Sequence, residues 1–243
     1  MKNLNNGLKI LKGIVIKDSK PPKHLTTWFT SDIHFNHTAV IGFCDRPFTS
    51  VEEMNEAIIQ NWNKVVKKDD LCIFVGDIFM YTKLEEMRNI LSRMNGDRKI
   101  LVIGNHDKER NRMITAGFSL VVDSMVMTIA GERVHFSHYP FRMGKWLSRW
   151  IKTKAKAKMI LRWLGISTKP IFFEKYHERR PIDTGQFLIH GHTHSTHKIN
   201  GKAIHVGVDA WQYKPVNIQQ ISNMIAEVKK NGPKYTKYDS KED

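Results

Sequence analysis

The stretch Ile-Leu-Val-Ile-Gly-Asn-His-Asp, residues 100–107, organises the interpretation of the whole chain. Its apolar half ends abruptly at Gly104, and three polar side chains follow at once. A short run of Ile, Leu and Val closed by glycine is typical of a buried strand. The end of that strand places Asn105, His106 and Asp107 at one spot. Amide, imidazole and carboxylate groups gathered there can bind a metal ion or transfer protons.

The same arrangement recurs at four other strand-like runs, each of which ends in a residue type that binds metals. The runs and the residues after them are Thr27–Ser31 before Asp32-Ile33-His34, Leu71–Val75 before Gly76-Asp77, Arg133–Ser137 before His138, and Phe187–Ile189 before His190-Gly191-His192-Thr193-His194. Residues two apart in a strand point to the same side, so Asp32 and His34 can face one point while Ile33 faces the core. We interpret the rest of the chain as support for this cluster.

Helical patterns separate the first three predicted strands. Apolar residues at helical spacing predict helices over residues 51–66 and 83–94, and Ser50-x-x-Glu53 forms a capping box before the first. Alternating strands and helices favour right-handed crossovers and a parallel sheet. Ligands bind beyond the carboxyl ends of such strands, which is where the candidate residues fall. The fold class is therefore predicted to be α/β.

The remaining elements are predicted from shorter patterns. Residues 41–50 are predicted to form a loop, and Gly131-Glu132 a tight turn between two strands. A last helix is predicted to begin after Asn217, which would cap it.

Composition indicates a globular chain with a basic surface. The 243 residues are 41% hydrophobic, which allows a substantial core, and the net charge is +15. That charge favours an anionic substrate or a polyanionic partner; the alternative is that lysines mainly keep the protein soluble. Cys44 and Cys72 do not suggest a disulfide framework, and we find no signal-peptide pattern and no apolar run of about 18 residues. We therefore predict no transmembrane segment and a cytoplasmic location.

We predict one domain over residues 1–243, with its core at about 26–220. Three segments differ in composition: an N-terminal arm over 1–24, a basic insert over 141–186 and a polar tail over 229–243. Residues 141–163 combine Lys, Arg and Trp without any Asp or Glu. Residues 141–164 therefore suit contact with nucleic acid, an anionic membrane surface or a partner. The alternative is a lid helix whose aromatic side chains pack on the core.

The ordered set of strand-end fragments resembles the calcineurin-like metallophosphoesterase superfamily. The resemblance spans about residues 26–220 outside the basic insert. Three further segments are similar to small phage and bacterial members: Arg46-Pro47-Phe48, the helix from Met54-Asn55-Glu56 to Trp62-Asn63, and Ser137-His138-Tyr139-Pro140. The resemblance implies a sandwich of two mixed β-sheets flanked by helices, with the active site at the carboxyl ends of the strands.

The resemblance also implies two divalent metal ions. Mn²⁺ is the first expectation and Fe, Zn²⁺ or Ni²⁺ are alternatives, because mixed nitrogen and oxygen ligands suit all of them. Asp77 would bridge the ions, since one carboxylate can contact two metals. The other implied ligands are Asp32, His34 and His194 for one site and Asn105, His138 and His192 for the second.

The same resemblance assigns catalytic roles. A hydroxide between the metals would attack phosphorus, and His106 would steady or protonate the leaving oxygen. We expect Asp107 to orient His106. Arg46 and His37 are candidate substrate-binding residues; the alternative for Arg46 is a structural pair with Asp45 or a backbone carbonyl.

Two further positions qualify the resemblance. Many relatives carry a charged residue where this chain has Met80, so one possible substrate contact is missing. Gly207-Val208-Asp209 matches a feature of the small members, and we expect Asp209 to support the site without binding metal.

The predicted function is metal-dependent phosphoester hydrolysis, with the basic charge favouring a phosphodiester of nucleotide or nucleic-acid type. One alternative is a phosphomonoesterase, because fold and family do not distinguish these substrates. Another is a non-catalytic metal-stabilised scaffold that binds nucleic acid or protein through the basic insert. The sequence carries no signal for an oligomeric state.

Overall fold

The computed structural model of the protein describes residues 25–107, 109–142 and 176–236. The predicted N-terminal arm and residues 143–175 of the basic insert lie outside the described residues. The chain divides into two compact units, residues 1–140 with 185–243 and residues 141–184. The smaller unit nearly matches the predicted basic insert, while a single domain over the whole chain stays a prediction.

The larger unit contains two five-stranded sheets and five helices among its described residues. The strands are β1 (Thr27–Thr30), β2 (Leu71–Phe74), β3 (Arg98–Val102), β4 (Leu120–Val122), β5 (Met125–Ile129), β6 (Glu132–Phe136), β7 (Phe187–His190), β8 (Ile199–Asn200), β9 (Ala203–His205) and β10 (Val216–Asn217). The helices are α1 (Thr38–Phe43), α2 (Val51–Asn63), α3 (Leu84–Arg93), α4 (Arg110–Ala116) and α5 (Ile218–Asn231). Short 3₁₀ turns cover Val208–Ala210 in this unit and His177–Arg179 in the smaller one.

Both sheets are mixed, as predicted. The first has the order β10-β1-β2-β3-β4, in which β1 to β4 are parallel and β10 runs antiparallel to β1. The second has the order β5-β6-β7-β9-β8, with parallel pairs β6-β7 and β7-β9 inside antiparallel edges. The parallel strands of each sheet therefore end together.

The strands of the first sheet bury both faces, which explains their nearly continuous apolar sequences. Cys72 and Phe74 pack with the helices, whereas Ile73 and Val75 face the second sheet. The rings of Phe29 and Phe136 lie 5.7 Å apart across the space between the sheets. Side chains of α2, α3 and α4 cover the other face, so the order of layers is helices, first sheet, second sheet.

Two local predictions are wrong. The turn between β5 and β6 consists of Ala130 and Gly131, not Gly131 and Glu132, because Ile129 pairs with Glu132 across a two-residue loop. Both turn residues have positive φ, +52° and +77°, as a tight hairpin turn of this kind requires. The predicted loop over 41–50 begins later, because α1 extends to Phe43.

The C-terminal helix begins as predicted. The Asn217 side chain accepts a hydrogen bond from the Gln220 amide, and the Gln220 side chain accepts one from the Asn217 amide. This helix continues to Asn231, past the start of the predicted tail. Among the helices of the described residues, none is both long and apolar enough to cross a bilayer.

The smaller unit is held near its ends by Arg142. Its amide donates to the Pro181 carbonyl at 2.8 Å, and its guanidinium contacts the Arg180 carbonyl and the Glu178 carboxylate at 3.1 Å and 3.2 Å.

A buried carboxylate, Asp70, joins the start of β1 to the turn before β2. It accepts hydrogen bonds from the Thr26 amide, the Trp28 indole and the Lys67 amide at 2.8, 2.9 and 2.8 Å. Burial by itself would raise the pKa of this carboxyl, but these three bonds outweigh it and hold the pKa below its usual value. The ionised form of Asp70 therefore stabilises the fold.

We expect Asp70→Asn to lower the free energy of unfolding at pH 7 by about 1–3 kcal/mol, because a charged acceptor is lost from a buried network. A depressed folded-state pKa contributes stability above the unfolded pKa of about 3.9, and this is lost as pH falls through the folded pKa. The difference from wild type should therefore shrink below about pH 4. Urea denaturation of metal-free protein across pH measures it, with the exposed Asp123→Asn as control. A constant difference down to acid pH would contradict the explanation.

Candidate metal centre and active site

The carboxyl ends of both sheets meet at one place and bring the predicted site segments together. Ser31, after β1, forms a parallel bridge with Gly207, after β9, and so links the two sheets. The Asp32 amide donates to the Gly76 carbonyl at 3.0 Å, and the Gly191 amide donates to the His138 carbonyl at 3.0 Å. These bonds place the loops after β1, β2, β6 and β7 side by side.

The first candidate ligand group contains Asp32, His34 and His194. All three are buried, and one ligand atom from each lies within 4.8 Å of the others. The Nδ1 atom of His34 lies 3.2 Å from Nδ1 of His37, while its Nε2 atom is buried with no hydrogen-bond partner among the described residues. A buried polar atom without a partner is unfavourable unless it binds something. The Nε2 atom therefore fits the role of a metal ligand.

The second candidate group contains Asp77, His138 and His192, again with ligand atoms within 4.8 Å. The Nδ1 atom of His138 lies 2.9 Å from the Val75 carbonyl oxygen. Donation of an Nδ1 proton to that carbonyl leaves Nε2 as the atom that can bind a metal. Burial alone would lower the pKa of His138, but Asp77 outweighs it and raises the pKa to about 9, so a metal must displace a proton from Nε2. The Oδ1 atom of Asn105 lies 3.0 Å from the same Nε2. The structure thus brings Asn105 beside this group, as predicted.

Asp77 lies between the two groups. Its Oδ2 atom is 3.2 Å from Nε2 of His138 and 3.9 Å from Nε2 of His34. Burial alone would raise the pKa of this carboxyl, but the neighbouring histidines His138, His34 and His106 outweigh it and hold the pKa well below its usual value. Asp77 is therefore ionised at neutral pH and available as a ligand to both groups.

The backbone at the site adopts a conformation that side chains rarely take. Five of the seven predicted ligands have φ in the left-handed region: Asp32 +55°, His34 +56°, Asp77 +56°, His192 +71° and His194 +47°. Each such residue costs on the order of 1 kcal/mol or more, and these costs concentrate at functional sites. The sharp turn after each strand directs the side chain to the shared centre.

Glycines permit the close approach of the loops. A Cβ atom at Gly104 would collide with the carboxylate of Asp77, and a Cβ atom at Gly191 would collide with the hydroxyl of Ser31. The Ser31 hydroxyl itself donates to Asp32. Glycine at these two positions is therefore a requirement of packing around the ligands.

Asp107 has a different role from the one predicted. Its Oδ2 atom accepts hydrogen bonds from the Asp77 and Gly104 amides at 2.7 and 2.9 Å, and its Oδ1 atom accepts one from the Ile78 amide at 3.1 Å. Both oxygens are therefore bound by backbone amides. Asp107 fixes the loops after β2 and β3 to each other. This role stands in place of the predicted one, which was to orient the His106 side chain.

Arg46 also has a structural role, and its expected contact with substrate is not supported. Its guanidinium donates to both carboxylate oxygens of Asp209 at 2.8 and 3.0 Å and to the Asp32 and Ile33 carbonyls at 2.8 and 2.9 Å. The remaining N–H contacts the Met54 sulfur at 3.4 Å. Every N–H donor of this buried side chain thus has a partner within the protein. The two carbonyl contacts agree with the structural alternative predicted from the sequence, and the carboxylate partner is Asp209 in place of Asp45.

Asp209 supports the site as expected. Its Oδ2 atom lies 2.8 Å from Nδ1 of His194, which leaves Nε2 of His194 free to bind a metal. Burial alone would raise the pKa of Asp209, but His194 and Arg46 outweigh it and hold the pKa well below its usual value. An ionised carboxylate therefore fixes the orientation of a candidate ligand.

His106 lies at the more accessible side of the centre, whereas His37 is buried. The His106 side chain is 19% exposed, whereas those of His34 and His138 are fully buried. The His106 amide donates to Asp77 at 2.9 Å, and its ring lies 6.5 Å from that of His37. His37 contacts His34 directly, so its first observable role is to orient a candidate ligand. Its contact with substrate stays a prediction.

His205 was not among the candidate residues selected from the sequence. This buried residue lies 4.0 Å from Asp32 through Nε2, and its ring is 5.3 Å from that of His190. Neither ring nitrogen of His205 has a hydrogen-bond partner among the described residues. One feature of the sequence could have identified it: His205 is a histidine at the end of a strand, as in the other site segments.

We expect Asp209→Asn to lower the affinity for Mn²⁺ by about 10- to 100-fold, because the group that orients His194 is lost. Isothermal titration of metal-free protein, at a temperature where circular dichroism shows the variant folded, measures the change. The exposed residue Asp123 provides the matched control as Asp123→Asn. Equal affinities in the two variants would show that Asp209 does not support the metal centre.

Comparison with known proteins agrees with this geometry. An uncharacterised protein of Methanocaldococcus jannaschii is 35% identical over 130 residues, which is 47% of this chain and 73% of the relative. The gene 66 protein of Mycobacterium phage L5 is 30% identical over 207 residues, or 76% of this chain and 87% of the relative. A crystal structure of an Aquifex aeolicus protein of unknown function shares the fold, with a TM-score of 0.54 and 24% identity over 82% of this chain and 99% of the other. A model of the calcineurin-like phosphoesterases matches residues 25–196, and the chain belongs to that family.

Proposed function

We propose that the protein hydrolyses phosphoesters with the help of two divalent metal ions, and that its substrate is a phosphodiester of nucleotide or nucleic-acid type. The observation that carries this proposal is the position of Asp77. Its Oδ2 atom lies within 3.2 Å of a nitrogen of one ligand group and within 3.9 Å of a nitrogen of the other. A carboxylate in that position suits two ions that share one ligand.

The residues present fit such ions. Asp32, His34, His194 and Asp77 would hold one ion, and Asn105, His138, His192 and Asp77 the other. When bound, divalent ions lower the pKa of water and stabilise negative charge on phosphoryl oxygens. The protein positions the ligands before any ion arrives, because Val75 fixes the ring of His138 and Asp209 fixes that of His194. Mn²⁺ is our first choice of ion, since the ligand set is mixed nitrogen and oxygen.

His106 is placed to serve the leaving group. Its backbone is tied to Asp77, and its side chain is partly exposed where the other site histidines are buried. An imidazole so placed can hydrogen-bond the ester oxygen that departs and donate a proton to it. We therefore assign His106 to the side of the site from which the leaving group departs.

The preference for a diester rests on charge. The chain has 39 Lys and Arg against 24 Asp and Glu, and a basic surface attracts polyanions. The basic insert is part of this excess, although residues 143–164 of the predicted contact segment lie outside the described residues. The two cysteines are buried and free, which is compatible with the proposed cytoplasmic location.

The test is hydrolysis of a phosphate monoester and a phosphodiester by protein that has been stripped with a chelator and reloaded with Mn²⁺. We expect turnover only with metal. Asp77→Asn should reduce it to background, and His106→Ala should lower it by about 10²- to 10⁴-fold, the usual contribution of a general acid. His135→Ala, a half-buried histidine in β6, is the matched control and should retain activity.

Each outcome has a defined consequence. Faster turnover of the diester supports the nucleotide-type substrate, and faster turnover of the monoester replaces it with a phosphomonoesterase. Binding of two equivalents of Mn²⁺ without turnover of either ester would favour a metal-stabilised scaffold. Full activity after chelation would contradict the metal-dependent mechanism.

A further inference from the structure

Two aromatic side chains are unusually exposed beside the candidate site. Phe43 at the end of α1 is 59% exposed, and Tyr81 in the loop after β2 is 88% exposed. Single exposed apolar residues are common and need no explanation. These two differ because each is tied to the segment that carries His34 and His37. We call Phe43 and Tyr81 the rim pair.

Phe43 continues a series of rings that leads out of the site. Its ring lies 6.3 Å from that of His37 in an edge-to-face arrangement. The His37 ring lies 5.2 Å from that of His34 and 6.5 Å from that of His106. Phe43 is thus one ring away from the histidine that serves the proposed leaving group.

Tyr81 is held beside the same segment by hydrogen bonds on either side of it. The Met80 amide donates to the Phe35 carbonyl at 3.0 Å, and the Asn36 side chain donates to the Thr82 hydroxyl at 3.3 Å. Tyr81 has a φ of +51°, in the left-handed region. The backbone at Tyr81 is thus strained while its ring is 88% exposed to water. Such outliers indicate a functional constraint.

The organic part of the substrate must lie on this side. His106 is the partly exposed histidine of the site, and the leaving oxygen is assigned to it. On that side Phe43 is an exposed ring next to His37, so a group attached to the leaving oxygen can reach it. On the basis of the proposed hydrolytic function, we propose that the rim pair stacks on a planar ring in the leaving group of the ester, such as a nucleobase.

The chemistry of the rim pair favours a ring over other occupants. Phenyl and phenol rings offer flat apolar faces and no positive charge, so they do not select a phosphate group. Stacking on aromatic side chains is how proteins hold bases without reading their sequence. The rim pair would therefore discriminate planar from non-planar esters while tolerating different bases.

Matched ligands separate planarity from size. 2-Phenylethylphosphonate and 2-cyclohexylethylphosphonate have the same spacer and similar bulk, and their P–C bonds resist hydrolysis. We expect the Mn²⁺-loaded protein to bind the phenyl compound roughly tenfold more tightly, the size of one stacking contact. Phe43→Leu, which keeps an apolar side chain, should remove most of this preference, and Tyr81→Ala should reduce it. Val126→Ala and Tyr235→Ala, exposed positions on other elements, should leave it unchanged.

The corresponding phosphodiesters give an independent kinetic measurement. Bis(2-phenylethyl) phosphate and bis(2-cyclohexylethyl) phosphate are of the proposed substrate type and release primary alcohols of similar acidity. A difference in kcat/KM therefore reports recognition and not leaving-group chemistry. We expect roughly tenfold higher kcat/KM for the phenyl ester. That advantage should fall in Phe43→Leu through KM, with little change in kcat.

The two arms distinguish the failure of each proposal. If neither ester is hydrolysed but the phosphonates bind with the expected preference, the proposed hydrolytic function is refuted and the proposed stacking on the rim pair is supported. If the wild type hydrolyses both esters with equal kcat/KM, the proposed stacking on the rim pair is refuted and the proposed hydrolytic function is supported. A preference that survives in Phe43→Leu and Tyr81→Ala would also overturn the inference.

Discussion

The rest of the structure depends on the burial of two carboxylates, Asp32 and Asp77, at the junction of two sheets. An ionised carboxylate in a protein interior is costly unless opposite charge or hydrogen bonds compensate it. Here the His192 amide and the Ser31 hydroxyl bond Asp32, although burial still holds the pKa of this carboxyl above its usual value, and the histidines of three loops surround Asp77. That compensation requires the ends of strands from both sheets to meet at one point. The bridge between Ser31 and Gly207 and the glycines beside the ligands satisfy this requirement.

A second layer of polar groups keeps the ligand atoms aimed at the centre. Asp107 binds three backbone amides, Arg46 holds Asp209, and Asp209 holds His194. The left-handed backbone conformation of the candidate ligands has a local free-energy cost, and the hydrogen bonds and ion pairs of this layer can offset it. The result is a metal-dependent phosphoesterase whose ligands are positioned by neutral amides and by charges that are themselves paired. His106 remains partly exposed and able to contact a substrate.

Residues with several possible partners were the ones that sequence reasoning assigned incorrectly. Asp107 follows His106 directly, which suggested a pair, but a carboxylate at a strand end also suits the free amides of neighbouring loops, and these bind it. Arg46 was assigned to substrate or to a structural pair with Asp45 or a backbone carbonyl. It does bind two backbone carbonyls, but its carboxylate partner is Asp209, 163 residues away. His205 lies in an apolar strand, so only its proximity to Asp32 distinguishes it from a packing residue. In each case the deciding partner is distant in sequence.

The sequence by itself determined the strands that carry the site, the α/β class and the candidate ligands at the strand ends. Periodicity of two in strands and of 3.6 in helices is a local property, and glycine followed by Asp, Asn or His is visible without knowledge of the fold. Only the tertiary structure decided that these ends converge from two sheets, that Asp77 lies between the two ligand groups, and that Asp107 and Arg46 support loops. Those facts depend on distances between segments far apart in the chain. Local patterns carry no information on such distances. The distances are set when both faces of the first sheet are buried and the second sheet packs against it.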